Sequence, residues 1–193
     1  RYGLGLQMLL YLFALEQEGG ALFGGKEIVP AGVLYTPARE PMLRCARNTA
    51  DETIEKARKK ELRRSGMVLE DPAVLEAMEH DALDAPEYLP IAVKKGGALS
   101  GSLASEGQFA KLAKYVDRVL REIADEVFAG NINADPYART PQQSACTYCE
   151  FASACHFENG RGGDHMEYIK ATKTDEFWSY IDEVNGEGGR KNG

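Results

Sequence analysis

Three of the four cysteines in this chain fall within ten residues: Cys146-Thr-Tyr-Cys149-Glu-Phe-Ala-Ser-Ala-Cys155. A C-x2-C pair can bend round one metal face, because a tight turn brings both sulfurs together. A third thiol five residues later can come from a short helical turn. Structural zinc takes four Cys or His ligands, and iron–sulfur clusters take four thiolates. The fourth ligand stays open among Cys45, His156, His165 and a cysteine outside the chain. His156 adjoins Cys155, and adjacent residues seldom reach one centre. Three reduced cysteines in a small core form the competing structural reading. Tyr148, Phe151 and Phe157 read as a shell around the site rather than as ligands. One tight trio and a distant Cys45 make a poor disulfide framework and point to a reducing compartment, hence a cytoplasmic location.

The 193 residues suit one domain, or one domain with an appendage. Apolar residues at 44% support a packed core, and charged residues at 27% are ordinary for a soluble chain. No run approaches the ~20 apolar residues of a membrane span. The chain begins at Arg1, directly in an apolar helical pattern with no basic leader, so it reads as a piece of a longer protein. A net charge of −7 does not advertise a nucleic-acid binder, although local basic patches matter more than the sum.

The expected class is α+β, helix-rich with a few short strands. Residues 1–160 read as the body and 161–193 as a tail with one short helix. Tyr2–Gln17 is expected as a buried helix, with Leu4, Met8, Tyr11 and Leu15 on one face and Gly19-Gly20 as its end. Ile28–Tyr35 reads as a strand with Pro30 near its start. Thr49 and Glu52 have capping-box spacing for a charged helix over residues 49–65. Asp71-Pro72 starts another helix, running to about His80, and Leu89–Val93 is a short strand. Lys94–Gly101 reads as a turn-rich connection. Ser105–Ala129 is the clearest helix: Ser105 and Gln108 box its start, Phe109, Leu112, Val116, Val119, Leu120, Ile123 and Val127 form its stripe, and Gly130 caps it. Asn131–Tyr137 is extended. A helix around Thr174–Val184 precedes residues 185–193, which read as disordered.

The segment from Gly130 to Glu158, with its Pro-Tyr before C-x2-C-x5-C, resembles the C-terminal end of the AddB (RexB) family. Those are B subunits of ATP-dependent helicase/deoxyribonucleases that process broken DNA ends. Gln7 and Tyr11 in LQMLLYL resemble the Q-x-x-x-Y motif of RecB-type PD-(D/E)xK nucleases, and GVLYTPAREP resembles the strand and loop that follow it. A spacing of four puts both side chains on one helix face. A simple packing role for the pair is the competing reading.

The resemblance implies a truncated PD-(D/E)xK fold over most of residues 1–160. It implies that Cys146, Cys149 and Cys155 hold a [4Fe-4S] cluster whose fourth cysteine lies upstream of this chain, so that Cys45 is not a ligand. Gln7 would hold a phosphate or metal-bound water, and Tyr11 would contact the DNA backbone. The implied chemistry is Mg²⁺-dependent phosphodiester hydrolysis. Its Asp and (D/E)-x-K pair would lie before Arg1, so the 193 residues alone are expected not to cut DNA. The acids of Asp117–Glu126, with Glu55 and Glu61, sit on solvated helices and are no substitute. Implied partners are double-stranded DNA ends, single-stranded DNA and an AddA-type helicase–nuclease subunit, with no membrane. Candidate phosphate contacts are Lys59, Lys60, Arg63 and Arg64 on one helix, and Lys111, Lys114, Arg118 and Arg121 on another, although such runs are usually solvated faces. A compact Cas4-type exonuclease and a zinc-stabilised interaction module are the alternatives.

Overall fold

The structure is a computed structural model and describes residues 5–187. The described residues divide into two units, 5–113 and 114–187. The division falls inside one long helix.

In the first unit, α1 (Gln7–Leu22) leads to β1 (Gly32–Tyr35), α2 (Asp51–Glu61), β2 (Ser65–Leu69), α3 (Pro72–Met78) and the strands β3 (Ile91–Val93), β4 (Leu99–Gly101) and β5 (Leu103–Ala104). β2 is the centre of a three-stranded sheet, antiparallel to β1 and parallel to β5. Its pairing brings Tyr35 opposite Ser65 and Gly32 opposite Val68. Gly66 has φ +134°, and a Cβ there would lie 2.0 Å from the Val33 carbonyl oxygen, so this crossing of β1 and β2 requires glycine. β3 and β4 form a separate antiparallel hairpin.

The core of this unit is Val68, Leu75, Ala82, Leu89 and Ile91, with Leu34, Met78, Leu83, Leu99 and Leu103 packed against it. Three polar anchors hold the chain over it. Asp71 caps α3 by accepting from the Val74 amide at 3.0 Å, with Pro72 at the first helical position. The Glu79 carboxylate accepts the amides of Glu87, Tyr88 and Leu89 at 2.6–3.2 Å. Arg63 donates to the carbonyls of Leu89 and Ile91. Partial burial works to raise the Glu79 pKa, but the three amides and the Arg64 charge outweigh it and hold the carboxyl below its usual range.

α4 (Glu106–Phe128) starts with the reciprocal capping box expected: the Ser105 amide donates to Gln108 Oε1 at 2.8 Å, and the Gln108 amide donates to Ser105 Oγ at 3.3 Å. Gly130 ends it with φ +70°. In the second unit follow β6 (Tyr137–Thr140), β7 (Gln143–Ser144), α5 (Ala152–Cys155), β8 (Glu167–Tyr168) and α6 (Thr174–Glu187). β6 is the central strand, antiparallel to β7 and parallel to β8. α6 is joined to α4 by an edge-on contact of Tyr115 and Tyr180 and by Arg118 Nη1 donating to the Val184 carbonyl at 2.6 Å.

Several expectations need correction. α1 ends at Leu22, so Gly19-Gly20 lies inside it; Gly19 is buried, and a Cβ there would be 3.4 Å from Ile28. The helix is not buried all round. Phe13 is buried, while Met8, Tyr11 and Leu15, the face expected inside, are exposed. The Thr49–Glu52 box does not form, because Thr49 Oγ1 donates to the Ala46 carbonyl and the N-cap of α2 is Ala50. α2 stops at Glu61, and Ser65, read as its end, begins β2. Part of the Lys94–Gly101 connection is β4. The α4 stripe is buried at Phe109, Leu112 and Val116 but exposed at Leu120, Ile123 and Val127. Residues 185–187 are helical; the rest of the expected disordered tail, and the expected start of α1 at Tyr2, lie outside the described residues.

Candidate functional site

The expected Q-x-x-x-Y pair lies on the first turns of α1, where one helical turn aligns the two side chains. Gln7 Nε2 donates to the Tyr11 hydroxyl oxygen at 3.0 Å, and both residues are exposed. The contact orients the pair. The phenol keeps its own proton to donate, and the Gln7 carbonyl remains an acceptor. Beside Tyr11 the helix surface is apolar, with Ala14, Leu15, Gly19 and Leu22 interrupted by Glu18.

The two basic helices differ in how their charges are used. On α2, Lys59 pairs with Glu87 at 2.6 Å, which raises its pKa, and Arg63, just past the helix end, is committed to the Leu89 and Ile91 carbonyls. Lys60 stays exposed. On α4, Arg121 pairs with Asp117 at 2.8 Å and Arg118 with Glu122 at 2.7 Å. The Asp117 carboxyl is held below its usual range by the Arg121 hydrogen bond. These are ordinary i,i+4 pairs on solvated helix faces. Lys111 and Lys114 lie on the same helix, toward its start.

The three cysteines follow β7 on a succession of turns. The Cys149 amide donates to the Cys146 carbonyl at 3.3 Å, and the Cys155 amide to the Phe151 carbonyl at 2.9 Å, closing α5. His156 then takes a left-handed conformation, φ 52°. All four cysteines are free thiols. Cys146 is half-buried, and Cys149, Cys155 and Cys45 are exposed. Tyr148 and Phe151, expected to shield the trio, are 95% and 73% exposed. His165 is engaged on both ring nitrogens, Nε2 with Glu167 at 2.8 Å and Nδ1 with Asp135 at 3.0 Å. The Glu167 hydrogen bond, then the Asp135 charge, raises its pKa.

A family model described as the PD-(D/E)XK nuclease superfamily matches residues 1–156. This chain belongs to that superfamily. The chain is also similar to proteins whose names give them as the B subunit of an ATP-dependent helicase/deoxyribonuclease. That of Thermoanaerobacter sp. is 32% identical over 190 residues, covering 97% of this chain and 16% of that protein. That of Clostridium kluyveri is 33% identical over 184 residues, with 94% and 16% covered. That of Acetivibrio thermocellus is 34% identical over 182 residues, with 93% and 16% covered. The chain thus spans 16% of the length of these curated relatives.

The resemblance to B subunits and the α+β nuclease fold class expected from Gln7, Tyr11 and the cysteine spacing agree with these matches. Divalent-metal chemistry of this superfamily needs clustered carboxylates. Among the described residues no three His, Cys, Asp or Glu side chains are arranged to hold a metal ion. The described residues therefore do not fit Mg²⁺, and the surface beside Tyr11 offers Glu18 alone. For an iron–sulfur group the donor types are right, three free thiols on one short segment with two of them open to solvent, but the structure does not gather the three into a metal-holding group. The segment supplies no fourth thiol, and His165 is already engaged on both nitrogens.

Sequence reasoning missed one grouping. Arg63 and Arg64 line a cleft together with Ser65 and with Ser100 and Ser102 from the β3–β4 hairpin and its exit. No local pattern links these stretches; only strand pairing does.

No described helix is long and apolar enough to cross a membrane.

Proposed function

We propose that this chain is part of the nuclease domain of a helicase/deoxyribonuclease B subunit. The whole protein hydrolyses DNA at double-strand breaks for recombinational repair, with an AddA-type subunit as its partner. The observation that carries the reading is the superfamily match over residues 1–156, joined to similarity over 97% of the chain with proteins of that subunit name. The Gln7–Tyr11 contact supports it, because a pre-oriented phenol O–H at an exposed helix face is suited to a phosphate oxygen.

The division of labour follows from the side chains. Tyr11 donates its proton to the DNA backbone. Gln7 fixes the phenol's orientation through Nε2 and offers its carbonyl to a bound water. Cys146, Cys149 and Cys155 supply three thiolates to a [4Fe-4S] cluster whose fourth comes from elsewhere in the protein, clasping the cysteine segment to the rest of the domain. That cluster, when bound, supplies cross-linking rather than bond cleavage. The metal-binding carboxylates also belong to parts of the protein outside these 193 residues.

The test is degradation of linear double-stranded DNA by the full-length protein with Mg²⁺. Tyr11→Phe removes one positioned donor, and a loss of about 100-fold in turnover is expected, the usual scale for such a donor. Gln7→Ala is expected to show a smaller loss, and the 193-residue chain alone is expected to leave DNA intact. Unchanged turnover in both variants of a DNA-degrading protein would remove the role given to α1. Absence of DNA degradation by the full-length protein would remove the nuclease reading.

A further inference from the structure

We propose that the cleft between the start of β2 and the β3–β4 hairpin seats a phosphate of the DNA backbone, held by Arg64 with the hydroxyls of Ser65 and Ser102. The inference rests on the reading above that the protein acts on DNA, and it assigns a second contact besides Tyr11.

The cleft measures about 390 Å³ and is lined by Arg63, Arg64, Ser65, Ser100, Gly101 and Ser102, among others. Its polar groups sort by what they already do. Arg63 is committed to the Leu89 and Ile91 carbonyls, so it contributes charge and holds the wall in place. Ser100 Oγ donates to the Ala92 carbonyl at 3.2 Å. The backbone of Ser102 is used on both sides, donating to Pro90 and accepting from Val68. The Arg64 guanidinium and the Ser65 and Ser102 hydroxyls make no hydrogen bond among the described residues. They are the groups left to meet a ligand. A guanidinium forks onto two oxygens of a phosphate, and a hydroxyl adds a third donor.

The lining has no carboxylate and no aromatic ring. Without a ring there is no platform for base stacking. Short hydroxyls and cations match phosphate and sugar, the sequence-independent part of a DNA surface. The neighbouring cleft on α2 offers the opposite case: Asp51, Glu52, Glu55 and Glu87 surround Lys56 and Lys59. In a chain of net charge −7, a cationic cleft whose lining holds no acid is a local exception, even with the Glu79 carboxylate within electrostatic reach of Arg64, and local charge decides where a polyanion settles.

The experiment is fluorescence anisotropy of a labelled short DNA duplex with the full-length protein, in chelator so that nothing is cut, across a salt series. Arg64→Glu is expected to weaken binding about 10-fold at low salt, and to reduce the slope of log Kd against log salt by about one. Ser102→Asp, which places repulsion in the cleft and leaves Arg64 in place, is expected to weaken binding in the same direction and decides the matter should Arg64→Glu not fold. Lys56→Glu, in the acidic cleft, is expected to bind as wild type. The inference is overturned if Arg64→Glu and Ser102→Asp bind with wild-type affinity and salt slope, or if Lys56→Glu costs as much as they do. Its failure is separable from that of the nuclease reading. A protein that degrades DNA with Mg²⁺ while the cleft variants bind normally loses only the cleft. A protein that binds through the cleft and degrades no DNA loses only the nuclease.

Discussion

The loop over residues 84–91 and the cysteine segment over residues 146–156 are both irregular stretches hung between short elements, yet they are held in opposite ways. The first is tied by side chains of its own unit: Glu79 accepts three of its amides, Arg63 takes two of its carbonyls, and Leu89 and Ile91 are almost fully buried. The second is held by backbone turns and by one short side chain, Thr147, whose hydroxyl accepts from the Ser144 amide and donates to the Gln142 carbonyl, with Tyr148, Cys149, Phe151 and Cys155 facing solvent. A loop whose side chains point inward is fixed by the chain itself. A loop that leaves two thiols and two aromatic rings in solvent gains little from its own side chains. Marginal stability makes the distinction measurable, because unsupported exposed apolar groups contribute little to folding.

The largest expected effect comes from the core side of this contrast. Leu75→Ala should cost about 2–5 kcal/mol in chemical denaturation, while Phe151→Ala should change stability by less than about 0.5 kcal/mol. Equal losses would erase the distinction. Next, Glu79→Ala leaves three amides without their acceptor and should cost about 1–3 kcal/mol. Because the folded Glu79 pKa is depressed, its contribution is present above the unfolded value near 4.5 and fades as pH falls through the folded value. The variant should therefore show a flatter acid limb in a plot of melting temperature against pH.

His165 tests the cysteine-bearing unit more gently. Its folded pKa is raised by Glu167 and then Asp135, so the clasp it makes between residue 135 and β8 is fully present below the unfolded pKa near 6.5. It is lost as pH rises through the folded value. His165→Asn should remove that pH dependence of melting with little change well above the transition. A wild-type melting temperature flat across the window would show the clasp to be without consequence.

How much of this was legible in the sequence depended on range. Asp71-Pro72, the Ser105–Gln108 box and Gly130 were readable because each is settled within a helical turn. Thr49 looked like a cap, but a nearby carbonyl, Ala46, took its hydroxyl. β2 was hidden because Arg63 and Arg64 extend the α2 charge pattern, while the strand is decided by pairing with β1 and β5. The apolar stripes of α1 and α4 told which faces favour burial. They did not tell whether this chain provides the covering, and Leu15, Ile123 and Val127 remain exposed. At the candidate sites, the Gln7–Tyr11 spacing and the cysteine spacing were local and visible. The Arg64–Ser65–Ser102 cleft was invisible, because it exists only once β5 has been brought beside β2.

The measurement that bears most directly on the cysteine segment is iron and acid-labile sulfide content, with the visible spectrum, of the full-length protein purified without oxygen. About four irons and four sulfides per chain are expected, with a brown colour. Cys149→Ser should abolish both, and Cys45→Ser should leave both intact. Stoichiometric zinc without iron, or iron retained unchanged in Cys149→Ser, would contradict the assignment of these thiols to a cluster.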